Sequence, residues 1–144
     1  MFFNFFSSLF GSKHKKMVKQ WKQEHEQIAK KATRVLELCN QNDYKSAKKE
    51  FIALNDLATN HLVEEDMELY KVLKDNKALE KDVTKFKESF LDIKVALIKF
   101  LTHYSNPNIA LDAEFEKQLR GILGVLGERI DFEETNLYKK IESL

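Results

Sequence analysis

The sequence predicts an all-α protein, an antiparallel up-down-up-down four-helix bundle with an extra short amphipathic segment at its N-terminus. Three observations predict it. The 144 residues are rich in Lys, Glu, Leu, Ala and Phe but hold only 4 Gly and 1 Pro, a composition that favours long, uninterrupted helices. Apolar residues recur in steps of three and four along four successive segments, the seam of a packed amphipathic helix. Three short polar breaks separate those segments: NQND (Asn40 to Asp43), KDNK (Lys74 to Lys77) and SNPN (Ser105 to Asn108). Connections this short join antiparallel neighbours.

The opening stretch, MFFNFFSSLFG, sets Phe2, Phe6, Leu9 and Phe10 to one side of a helix, with Asn4, Ser7 and Ser8 opposite. A secretory signal would carry its charge before the apolar run and have a longer core. Residues 1–12 therefore read as a Phe-rich arm. Two uses are open to it. Phe2, Phe3, Phe5, Phe6 and Phe10 enter a membrane surface while Lys13, Lys15 and Lys16 meet anionic headgroups, or they cover a bundle, the chain's own or a second copy's. An uncovered Phe cluster is an association liability, so some partner is expected.

Residues 13–144 form the bundle. The first helix carries Met17, Trp21, His25, Ile28, Ala32 and Val35 on its seam. The second carries Ala47, Phe51, Leu54, Ala58, His61, Glu65, Leu69 and Val72. The third carries Val83, Phe86, Phe90, Ile93, Leu97 and Leu101, and the fourth Phe115, Leu119, Ile122, Leu126, Arg129, Glu133, Leu137 and Ile141. Gly121, Gly124 and Gly127 in the fourth helix read as small residues that let a neighbouring helix approach.

Several functions are excluded early. A net charge of +1, with lysines alternating with glutamates, gives no electrostatic case for nucleic acid. The single cysteine, Cys39, rules out an internal disulfide and fits a reducing compartment. No apolar run reaches the length of a membrane span. No nucleophile elbow, triad or phosphate-cradling loop is present, so the chain reads as a non-enzyme.

With the apolar residues removed, the seams leave His25, His61, Glu65, Arg129 and Glu133, each near the middle of its helix. In an antiparallel bundle such positions meet at similar height. Burying these groups is costly unless they pair with one another or bind a metal. Two imidazoles and two carboxylates suit a first-row ion, iron included. The plainer alternative is a pair of core histidines bonded to Glu65. Glu64, Asp66 and Glu134 read as surface or supporting groups. Tyr70, Tyr138 and Trp21 read as packing at an end of the core; the other use open to the two tyrosines is a hydroxyl that reaches the site.

The order of these motifs resembles the hemerythrin-like, or HHE cation-binding, family. WKQEHEQI resembles its first-helix histidine segment, HLVEEDMELY its second-helix H-x-x-x-E, and RIDFEETNLY its fourth-helix acidic segment. The resemblance runs from about Met17 to Ile141. It implies two irons inside the bundle that bind oxygen reversibly. Carried over by position, one iron keeps His25 and His61, with Glu65 and Glu133 as bridging carboxylates. The other iron loses its ligands: Phe90 and Lys94 stand where third-helix histidines belong, and Arg129 where the fourth-helix histidine belongs. Without metal, Arg129 and Lys94 balance Glu65 and Glu133. With Lys94 in solvent, one divalent ion leaves an excess of one positive charge that a bound anion cancels.

The expectation is therefore a bacterial, cytoplasmic binding or regulatory protein, peripheral on the inner membrane where the arm attaches there. It would hold one non-haem iron or none, and sense oxygen or redox state; it would not carry oxygen. The alternative is a metal-free interaction module with an Arg129–Glu133–Glu65 network. That arrangement is similar, on Trp21, His61 and Arg129, to a family of bacterial anti-sigma regulators, and its partner would be a protein.

Overall fold

A computed structural model describes residues 13–144; the Phe-rich arm, with Phe2, Phe3, Phe5, Phe6 and Phe10, lies outside the described residues. Helix α1 (Lys13–Asn40) is followed by α2 (Tyr44–Asp75), a 3₁₀ turn (Lys77–Leu79), α3 (Glu80–Ser105) and α4 (Ala113–Phe132). The fourth rod then continues through a π turn (Glu133–Leu137) into α5 (Tyr138–Glu142). The result is an all-α four-helix bundle, in which α1 and α2 pack most extensively against each other.

The helix ends follow local chemistry. Asn42 adopts φ 61°, the left-handed turn that Asn tolerates, and Asp43 N–H donates back to Leu38 O at 2.9 Å. Asp43 then caps α2 by accepting from Ser46 N at 3.2 Å, and Asp112 caps α4 by accepting from Phe115 N at 2.9 Å. The third connection runs from Asn106 to Asp112, longer than its SNPN signal, because Leu111 is buried as a plug. Lys48 of α2 holds this loop. Its ammonium donates to the carbonyls of Tyr104, Asn106 (2.8 Å) and Ile109 (2.6 Å), so one cation caps the end of α3.

The core has two parts. Near the α1–α2 and α3–α4 turns, Phe51, Phe100, Tyr104 and Phe115 stack edge-to-face and offset around Val35, Leu54 and Leu101, with Cys39 buried among them. At the other end, Trp21 and Tyr138 pack with Val18, Leu69, Val83, Phe86, Leu137 and Ile141. Between the two parts lies a polar layer of His25, His61, Glu65 and Glu133, each less than 8% exposed. The fold's main consequence for function is this position.

Several expected core positions lie elsewhere. Val18, not Met17, takes the first buried place on α1. Tyr70 is 67% exposed and packs at no core end. In the middle of α3 and α4, Phe90, Ile93, Ile122, Leu126 and Arg129 are only partly buried, and all of these but Ile93 line a cavity of ≈ 70 Å³. Among the described residues, no helix is long and apolar enough to cross a membrane.

The glycines of α4 do not serve close packing. A Cβ built on Gly121, Gly124 or Gly127 meets nothing within 4 Å, and none has positive φ. Each therefore costs helix propensity with no contact to offset it. Replacing each with Ala should stabilise the fold by about 0.5–1 kcal/mol, raising Tm by roughly 2–4 °C per site. A fall in Tm on calorimetry would mean that these positions do meet a partner surface.

Candidate metal centre

Each rod except α3 contributes to the polar layer. His25 comes from α1, His61 and Glu65 from successive turns of α2, and Glu133 from the π turn. One ligand atom from each lies within 4.8 Å of all the others. The imidazole Nε2 atoms of His25 and His61 are 3.0 Å apart, with one donating to the other. His61 Nε2 is also 3.0 Å from Glu65 Oε2, and His25 Nε2 is 3.3 Å from Glu133 Oε1.

The outer ring nitrogens explain this orientation. His61 Nδ1 donates to Glu24 Oε1 at 2.7 Å, and His25 Nδ1 reaches Glu134 Oε2 at 3.4 Å. Those carboxylates hold each proton on Nδ1, which leaves both Nε2 atoms to face the centre. Carboxylate-backed imidazoles of this kind orient and strengthen metal ligands. Of the two roles the sequence left to Glu134, surface or supporting group, its contact with His25 Nδ1 fits the second. Glu24 went unrecognised, because it precedes His25 in the chain but serves His61 on the neighbouring helix.

Tyr138 combines the two uses open to it in the sequence, packing at one end of the core and reaching the site with its hydroxyl. It is fully buried, and its hydroxyl lies between Glu65 Oε2 (2.7 Å) and Glu133 Oε1, bonded to both carboxylates. Its ring stacks on His25 and tilts against Trp21 with centroids 5.3 Å apart. In an ordinary helix, residues five apart point about 140° away from each other. Here Tyr138 N–H donates to Glu133 O, an i to i+5 bond that returns both side chains to one face. The signal in the sequence was faint: adjacent Leu137 and Tyr138 are both large, where the seam needed one.

Charge is tightly arranged. Burial would raise Glu65, but hydrogen bonds from His61, Glu133 and Tyr138 outweigh it and hold this carboxyl below its usual range. Burial and the Glu65 charge push Glu133 well above the usual range, so it retains its proton. Burial and the neighbouring His61 charge lower His25. Burial also acts to lower His61, yet Glu65 and Glu24 overcome it and bring it up to about 9. Burial and both carboxylates push the Tyr138 phenol far up. The metal-free centre is thus held together by protons on His61 and Glu133.

The donor set fits a cation. Two imidazoles and two carboxylates on one buried point suit a first-row ion. Among the described residues this is the one such group of His, Cys, Asp and Glu.

The residues expected at the second iron position do not join it. Lys94 leaves the interior and pairs with Asp66 across α2 and α3. Phe90 stands at the edge of the ≈ 70 Å³ cavity that adjoins the four ligands. Arg129 also lines that cavity but makes no pair with Glu133 or Glu65. Its guanidinium lies 5.1 Å from the Phe86 ring centroid, 5.6 Å from Phe90 and 5.4 Å from Phe132, and Nη2 donates to Ser89 Oγ at 2.9 Å. The expected Arg129–Glu133–Glu65 network is therefore corrected: three aromatic faces draw the guanidinium off the carboxylates. Glu64 sits outside and accepts from Gln20 Nε2.

A family model described as the hemerythrin HHE cation binding domain matches residues 16–141. No curated protein and no solved structure gives a significant match.

The proton arrangement fixes the sign of a pH dependence. His61 and Glu133 have raised folded pKa values, so the folded metal-free state binds more protons than the unfolded chain from about pH 6.5 to 9. That contribution is full below the unfolded values and is lost as pH rises. Tm of the metal-free protein should fall between pH 7 and 9. A divalent ion displaces those protons, so the stabilisation it gives should grow over the same interval. Parallel Tm profiles with and without metal would contradict this account.

Proposed function

Because the chain belongs to the hemerythrin HHE cation-binding domain family, we propose that it binds one iron through His25, His61, Glu65 and Glu133 and acts as a sensor of oxygen or redox state, not as an oxygen carrier or an enzyme. The observation that carries this reading is the asymmetry of the bundle interior. Four ligands converge, while the space where a second ion would sit is lined by Phe90, Arg129 and aliphatic side chains.

The residues divide the work. His25 and His61 present Nε2, with Glu24 and Glu134 holding their outer protons. Glu65 and Glu133 supply charge, and Tyr138 fixes the carboxylate positions by bonding to both. Trp21 and Tyr138 seal one end of the layer against water. When bound, iron supplies a centre that changes charge with oxidation state and keeps open coordination positions.

Regulation by such a centre needs an element with two packings. The π turn is the candidate, since Glu133 begins it and Tyr138 ends it. A change in charge at Glu133 shifts the balance between π and α winding, and with it the position of α5. The Phe-rich arm, with Phe2, Phe3, Phe5, Phe6 and Phe10, supplies the tether to a membrane surface or a second copy.

Protein purified without chelators from iron-supplemented cells should hold about one iron per chain, and His61→Ala or Glu65→Ala should lose at least about 90% of it. Iron far below one per chain in the wild type would return the centre to a metal-free interaction module. Deleting residues 2–10 should abolish liposome flotation or reduce oligomer size on gel filtration; no change in either would remove the arm from the account.

A further inference from the structure

The outer surface of α2 and α3 carries an apolar patch with a regular plan. Among the described residues, six of the ten large apolar side chains left exposed lie there: Val63, Met67 and Tyr70 on α2, and Leu91, Val95 and Ile98 on α3, each 42–67% exposed. On both helices the spacing is i, i+4, i+7, which sets three side chains in one stripe. The two stripes run side by side. Asp66 pairs with Lys94 across the helices, and Val63 and Ile98 line one groove between them. The antiparallel register therefore puts Val63 level with Ile98, Met67 with Val95 and Tyr70 with Leu91. The six present roughly 600 Å² of side chain, at the top of what a monomer ordinarily leaves open. Inside the patch, Asp66 and Lys94 neutralise each other. Its outer edges carry Glu64 and Lys71 on α2 and Glu88 and Lys99 on α3, all exposed.

We propose that this face is the interface of a homodimer whose two-fold axis runs parallel to the helices. That axis preserves height and exchanges α2 for α3. Val63 then meets Ile98 of the second copy, Met67 meets Val95 and Tyr70 meets Leu91, apolar on apolar throughout. Asp66 faces Lys94 of the second copy, and at the edges Glu64 approaches Lys99 and Lys71 approaches Glu88, with opposite signs in every case. The other two-fold axis in this plane, across the helices, stacks α2 on α2 and brings Asp66 over Asp66 and Lys94 over Lys94, which repel. Lys71 donates to Glu68 within its own helix at 3.2 Å, an exposed pair that costs little to exchange. A membrane surface selects a basic rim, and this rim is half acidic. The Phe-rich arm has no charged side chain between Phe2 and Phe10 to meet that rim. With the charged edges included, the face comes to about the 800 Å² per partner of a standard interface. The inference stands apart from the metal reading.

Analytical ultracentrifugation of the full chain at about 100 μM should give twice the chain mass. Tyr70→Glu and Ile98→Glu place a charge at exposed positions, so both should keep wild-type helicity by circular dichroism while sedimenting as monomers. Glu64→Lys and Lys99→Glu each set like charges at both edges of the dimer, and each alone should raise its dissociation constant roughly tenfold. Mixed one to one, the two variants restore opposite signs at both edges, so the mixture should dimerise about as tightly as the wild type. A wild-type chain that stays monomeric at this concentration overturns the interface. So does a dimer that survives Tyr70→Glu and Ile98→Glu but is lost on deletion of residues 2–10, which assigns association to the arm. A mixture of Glu64→Lys and Lys99→Glu that associates no better than either variant alone overturns the parallel axis.

Discussion

Two carboxylates and two imidazoles buried at one level of an apolar bundle form the constraint on which the rest of the structure depends. Charges in such surroundings must be neutralised by protons, by partners or by a cation. Without metal, the protein uses protons: Glu133 is held neutral by burial beside Glu65, and His61 is held charged between Glu65 and Glu24. A cation at this point would displace those protons. The layer is therefore neutralised by protons in one state and by a cation in the other, and this exchange links occupancy to pH.

The surrounding elements make sense as responses to that layer. The core divides around it, with a Phe-rich stack on one side and the Trp21–Tyr138 cluster on the other. The π turn adds a residue where Tyr138 must bridge Glu65 and Glu133. Glu24 and Glu134 sit at the helix surfaces, 16% and 29% exposed, where each can hold a histidine proton without itself adding a fully buried charge. Each feature costs something locally, whether in helix regularity or in desolvated charge, and each acquires a reason once the central group is considered.

Much of this was legible in the sequence. The steps of three and four gave the helices, and polar residues in the seam gave His25, His61, Glu65 and Glu133. These signals survive because burial and helical period act on single residues and their near neighbours. What escaped depends on geometry between helices. Glu24 supports a histidine on another rod, and no spacing within α1 reveals that. Tyr138 looked like core packing because its role requires a local change of winding. Arg129 looked like a partner for Glu133 because the two are four apart, yet the aromatic rings of α3 and Phe132 compete for the guanidinium. Lys94 likewise has the length to reach outward, and Asp66 lies there. The glycines of α4 mislead in the opposite sense, since small size permits close approach without requiring it.

The position of Arg129 also decides what is left to the polar layer. A guanidinium paired with Glu133 would have occupied one of its two carboxylates. Stacked on phenylalanines 5.1–5.6 Å away, it leaves both carboxylates to the histidine side of the bundle. Arg129 thus forms the cationic part of a largely apolar wall beside the four converging side chains. A positive wall of this kind disfavours a cation next to it by Coulomb repulsion in a medium of low dielectric, and it leaves the four-residue group as the point in this interior where the side chains can neutralise one.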